Sequence, residues 1–85
     1  MFNIFKSDKS KDRLRERGWT EESNGFTKQE GKASATLHRT GKKWVGYISP
    51  KEFPGCERFD GELLYCDIDL MEYKLTQKNE LLNED

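Results

Sequence analysis

From Trp19 to Pro50 the chain is cut at short intervals by turn-forming residues, a spacing that leaves room for hairpins but not for long helices. Asn24-Gly25 separates Trp19 to Ser23 from Phe26 to Gln29. A type I′ turn needs positive φ at both central residues, which makes Asn-Gly the strongest short-range hairpin signal. Glu30-Gly31-Lys32 is a second break, and Gly41-Lys42 fits a type II′ turn joining Ala33 to Thr40 with Lys43 to Ser49, where Pro50 ends the run.

Pairing Thr40 with Lys43 sets the register of this second hairpin. Arg39 then opposes Trp44, His38 Val45, Leu37 Gly46, Thr36 Tyr47 and Ala35 Ile48. One face collects Ala33, Ala35, Leu37, Trp44 and Ile48, with Arg39 placed to lie on the Trp44 ring, and is the predicted core face. The other carries Thr36, His38, Thr40, Lys43, Val45 and Tyr47, the polar side of a sheet covered on one face only.

Before the hairpins, Lys6 to Arg17 is strongly charged and has Leu14 as its one apolar residue. A short exposed helix is predicted at 9–17, capped by Asp8 or Ser10 and ended by Gly18. After the hairpins, residues 50–61 hold both prolines and two glycines and read as a long loop. The next segment is ambiguous. Leu64, Cys66, Ile68 and Leu70 alternate as in a strand, while Leu64, Ile68, Met71 and Leu75 make a helical stripe. Asp69 with Glu72 matches a capping box, and Ile68 with Tyr73 a hydrophobic staple. The prediction is a strand at 62–67 and a helix at 70–82, with a continuous helix from Gly61 as the alternative. Leu70, Met71, Leu75 and Leu82 would pack on Leu37, Trp44 and Ile48.

The predicted fold is therefore α+β. It has a small antiparallel sheet of four to five strands, a C-terminal helix packed on one face, and a short N-terminal helix or basic arm. Residues 1–18 form the arm, 19–82 the domain and 83–85 a frayed tail. At 85 residues the chain makes one domain, too small for a cleft between lobes. Leu, Ile, Val and Phe supply only 17 residues, so the two Trp, three Tyr and five Phe must build much of the core. A mean hydropathy of -1.02 leaves no membrane span, and membrane partners are not expected. Two cysteines, Cys56 and Cys66, point to reduced thiols in a cytoplasmic protein, with Cys66 expected in the core.

The net charge of -1 hides an asymmetry. Residues 1–43 hold 11 basic and 6 acidic side chains, or +5, and residues 44–85 hold 4 basic and 10 acidic, or -6. The halves either neutralise each other or present opposite faces to partners.

Enzyme chemistry is not expected, because His38 is the only histidine and no nucleophile signature surrounds Cys56 or Cys66. Those three residues fall short of a four-ligand zinc set, and no glycine-rich phosphate loop exists, so no metal or cofactor is expected. The expectation is a small regulator or inhibitor acting by protein contact, of the kind common among phage and mobile-element accessory proteins. Phe53, Arg58 and Phe59 on the proline-stiffened loop are its candidate contact residues. The alternative is nucleic-acid binding through Lys11, Arg13, Arg15 and Arg17 together with His38, Lys43 and Tyr47. An acidic surface of Asp60, Glu62, Asp67, Asp69 and Glu72 would instead imitate nucleic-acid charge.

Overall fold

The computed structural model describes residues 9–23, 25–50 and 56–83. The order of elements is α1 (Ser10–Glu16), β1 (Thr20–Glu22), β2 (Gly25–Glu30), β3 (Ala33–Thr40), β4 (Lys43–Ser49), β5 (Glu57–Asp60) and α2 (Tyr65–Asn83). The strands lie side by side in chain order as one antiparallel sheet, and α2 packs across one face, the α+β arrangement expected.

The central hairpin follows the turn chemistry. β3 and β4 pair from Ser34↔Ser49 to Thr40↔Lys43 in the predicted register. Gly41 has φ +63°, and no described non-glycine residue has positive φ, as a type II′ turn requires. Ala33, Ala35, Leu37 and Trp44 are buried on the covered face, and Ile48 packs partly buried beside them.

The first hairpin is shifted by one residue. Glu22 pairs with Gly25, and Gly25 opens β2 rather than sitting in the turn. Close backbone approach, rather than a turn conformation, explains this glycine: a Cβ there would lie 2.2 Å from the Leu37 carbonyl oxygen and 2.8 Å from His38 Cα.

Two expectations at the C-terminal end are corrected. The 50–61 segment is not all loop, because Glu57–Asp60 forms β5 on the outer edge of β4, with Phe59 opposite Trp44. The prolines and glycines at 50, 54, 55 and 61 bracket this strand. There is also no strand at 62–67: α2 starts at Tyr65 and runs through Asn83, into the predicted tail. Its start is fixed by Asp67, not by Asp69 and Glu72. The Asp67 carboxylate accepts from the Leu64 N–H (2.9 Å), while the Asp67 and Ile68 N–H groups donate to the Leu64 carbonyl (3.0 and 3.1 Å). This is the reach-back half of a capping box with Leu64 at the cap. The helical stripe then outweighs the alternation. Ile68, Met71 and Leu75 are buried and Leu82 is partly so, whereas Leu70 and Cys66 are exposed, contrary to expectation. Both cysteines are free.

α1 ends in a Schellman motif. Gly18 (φ +87°) follows the helix, its N–H donates to Arg15 O (3.1 Å), and the Trp19 N–H donates to Leu14 O (2.9 Å). Leu14 and Trp19 both enter the core. Ser10 does not cap the helix, since its buried hydroxyl accepts from the Leu63 N–H at 2.7 Å. Asp8, the other predicted cap, lies outside the described residues.

Candidate interaction surfaces

Of the basic residues in and just after α1 weighed as nucleic-acid contacts, Arg13 and Arg17 reach α2 and its approach, and Arg15 pairs closer to its own helix. Arg13 Nη1 bonds Glu62 at 2.7 Å and Leu63 O at 2.8 Å, and its guanidinium lies 5.4 Å from the Tyr65 ring centre. Arg15 pairs with Glu21 at 3.0 Å and Asp12 at 3.2 Å and lies over the Phe26 ring. Arg17 pairs with Asp69 at 2.6 Å and Glu72 at 2.7 Å. The hydrogen bond to Asp69 is the main cause of a raised Arg17 pKa, with the Glu72 charge adding to it. Lys11 is exposed.

Glu72 is the centre of this contact. It accepts from Arg17, from Trp19 Nε1 (3.0 Å) and from Lys28 Nζ (3.3 Å), and Lys28 also donates to Arg17 O (2.9 Å). The acidic residues weighed as a nucleic-acid mimic are thus engaged within the chain. Glu62, Asp69 and Glu72 hold arginines, Asp67 closes the start of α2, and Asp60 is 3.8 Å from Lys43. The positive and negative halves meet along the seam between α1 and α2.

The Tyr65 hydroxyl donates to the Glu16 carboxylate across that seam, which raises its pKa above the ordinary tyrosine range. The neutral phenol is the form held, so the stabilisation is complete below the ordinary value and lost as pH rises through the raised one. In an alkaline absorbance titration, Tyr65 should give a late component above the ordinary tyrosine range. Both Tyr65→Phe and Glu16→Gln should remove that late component, and its persistence in either would refute the assignment.

The sheet face opposite α2 brings His38, Lys43 and Tyr47 together as the register predicted. The His38 and Tyr47 rings meet edge to face, 5.9 Å between centres at 78°, and Thr40 Oγ1 lies 3.4 Å from His38 Nδ1. Beside them Glu22, Thr27 and Thr36 border a depression of about 310 Å³. Arg58, opposite Val45, is on this same face.

Of the three aromatic-loop contact candidates, Arg58 and Phe59 are among the described residues. Arg58 and Phe59 project to opposite sides of β5, with Phe59 turned to the core beside Trp44, and Phe53 lies outside the described residues. The sequence reading missed the outer side of α2. Leu70, Tyr73 and Leu81 are 37, 61 and 63% exposed, and Leu64 and Tyr65 are exposed at the helix start. A signal for them existed: one inward stripe cannot hold all the large apolar residues between 64 and 82.

Among the described residues, no three His, Cys, Asp or Glu side chains converge as a metal site would require, and no helix is long and apolar enough to cross a membrane. No known protein family, curated protein or solved structure matches this chain.

Proposed function

We propose that this chain is a small, non-enzymatic, cytosolic binding module, a regulator or inhibitor acting by protein contact through the outer side of α2. The exposed alignment of Leu70, Tyr73 and Leu81 carries this reading. At 1.5 Å per residue these side chains span roughly 16 Å of helix. Single exposed hydrophobic residues are ordinary. An apolar line on the side of a helix opposite its buried stripe is the pattern by which helices seat in a partner's groove, with Tyr supplying an anchor. Ile68, Met71 and Leu75 already attach α2 to the sheet, so folding does not need the outer residues.

The test is a partner pull-down with Leu70→Ser/Tyr73→Ser, after circular dichroism shows the variant folded. Loss of a partner retained by wild type is the expected result. Equal retention by both would refute the α2 surface.

Nucleic-acid binding is the second reading, favoured by the His38–Tyr47 ring pair beside Lys43 and Arg58 on the open sheet face. Oligonucleotide retention that falls steeply with salt and disappears in Lys43→Ala/Tyr47→Ala would replace the first reading with this one.

A further inference from the structure

The free edge of β5 is complementary to itself. Among the described residues, β5 ends the sheet order and β4 is its one neighbour. The Gly61 N–H donates to Lys42 O at 2.9 Å, which continues the Lys43↔Asp60 register by one pair. Main-chain groups in an antiparallel ladder point alternately to the two sides. Glu57, Phe59 and Gly61 therefore turn their N–H and C=O groups toward β4, and Arg58 and Asp60 turn theirs outward. Both outward residues are exposed, and an open row of this kind is a template for another strand.

A two-fold pairing of this edge with itself must oppose outward residues to outward residues and keep the two sides of each sheet aligned. Registers centred on Arg58 or on Asp60 meet both conditions but set like charges against each other, which is destabilising. The register centred on Phe59 meets them with opposite charges. Arg58 then faces Asp60 of the second copy, and Asp60 faces Arg58 of that copy, in the hydrogen-bonded pairs. Phe59 faces its own counterpart in the closer non-bonded pair, on the side of the sheet that already carries the core. The next pair sets Glu57 against Gly61, whose φ of +75° ends the ladder there.

We propose that this chain self-associates by antiparallel pairing of β5 with β5 of a second copy, centred on Phe59, joining two sheets into one. So short an edge gives an interface in the weak class, below about 1,200 Å². The association is therefore read across a concentration series. This proposal is independent of the α2 contact, and Leu70→Ser/Tyr73→Ser should leave self-association unchanged.

Sedimentation equilibrium over a dilution series should show a reversible monomer–dimer equilibrium for the wild type. Arg58→Asp and Asp60→Arg each place like charges opposite one another, and each should weaken self-association by tenfold or more. An equimolar mixture of the two variants restores the opposite-charge pairs and should associate as the wild type does. The double exchange Arg58→Asp/Asp60→Arg should also self-associate. Both substituted positions are on the exposed edge, and circular dichroism checks that each variant folds. A wild type that is monomeric throughout overturns the proposal. So does a dimer indifferent to the single reversals, or a mixture that does not associate.

Discussion

Truncating Leu37 to Ala should lower folding stability by about 3 kcal/mol, as fully buried leucines typically do when a cavity is left behind. In a domain of this size each kcal/mol moves the thermal midpoint by about 4–8 °C, so the midpoint should fall by roughly 12–24 °C. Leu37 is fully buried on β3, paired with Phe26 on one side and Gly46 on the other. It also lies where Met71 of α2 reaches the sheet. A Cβ on Gly46 would lie 2.7 Å from Leu37 Cδ2 and 2.8 Å from Met71 Cε. The missing side chain of Gly46 is thus the space into which Leu37 and Met71 pack. Gly46→Ala alone should cost about 1–2 kcal/mol through overpacking, although Ala is ordinarily the better strand residue. The two changes should not add. With Leu37 shortened, the new methyl group has room on one side, and the double variant should be at least about 0.5 kcal/mol more stable than the sum predicts. Urea unfolding of the four proteins measures this coupling. Additive effects, or a stabilising Gly46→Ala, would mean that α2 does not approach the sheet at Gly46.

The central hairpin was legible because turn chemistry and side-chain alternation agreed there. Gly41 set the turn, and the faces of β3 and β4 followed from it. Gly25 was harder, because Asn-Gly signals a turn and nothing local reveals that the same glycine lies against the β3 backbone. β5 was hidden by its flanks. A four-residue strand is stabilised by the neighbour it joins, and the pairing of Phe59 with Trp44 links positions distant in sequence. At the start of α2 a helical and an alternating pattern coincide, and Asp67 decides by capping Leu64. Of the candidate surfaces, His38, Lys43 and Tyr47 could be grouped from register alone. The fate of Arg13, Arg15 and Arg17 could not, because charge counts carry no information about which carboxylates the fold brings near.

For Arg17 that fate rests on Asp69 and Glu72, and Glu72→Ala should cost about 2–3 kcal/mol, the scale for removing an acceptor from charged and neutral donors at a partly buried position. The change strips Trp19 Nε1 of its acceptor and leaves Lys28 with Arg17 O, while Arg17 retains Asp69. Glu72→Gln preserves shape and an acceptor oxygen, so it should lose roughly half as much. Asp12→Ala is the control. Its pair with Arg15 is exposed on both sides, and its removal should change stability by no more than about 0.5 kcal/mol. Hydrogen exchange adds the location. α1 is held by Leu14, the Ser10 and Leu63 contact and this carboxylate network, so in Glu72→Ala the α1 amides should exchange faster while those of β3 and β4 keep their relative protection. Added salt should narrow the gap between wild type and variant, since the lost attractions are partly solvent-exposed. If Glu72→Ala proved as mild as Asp12→Ala, the two charged halves would not be holding α1 to α2. The Arg17 and Lys28 pairs with Glu72 would then contribute no more than an exposed ion pair does.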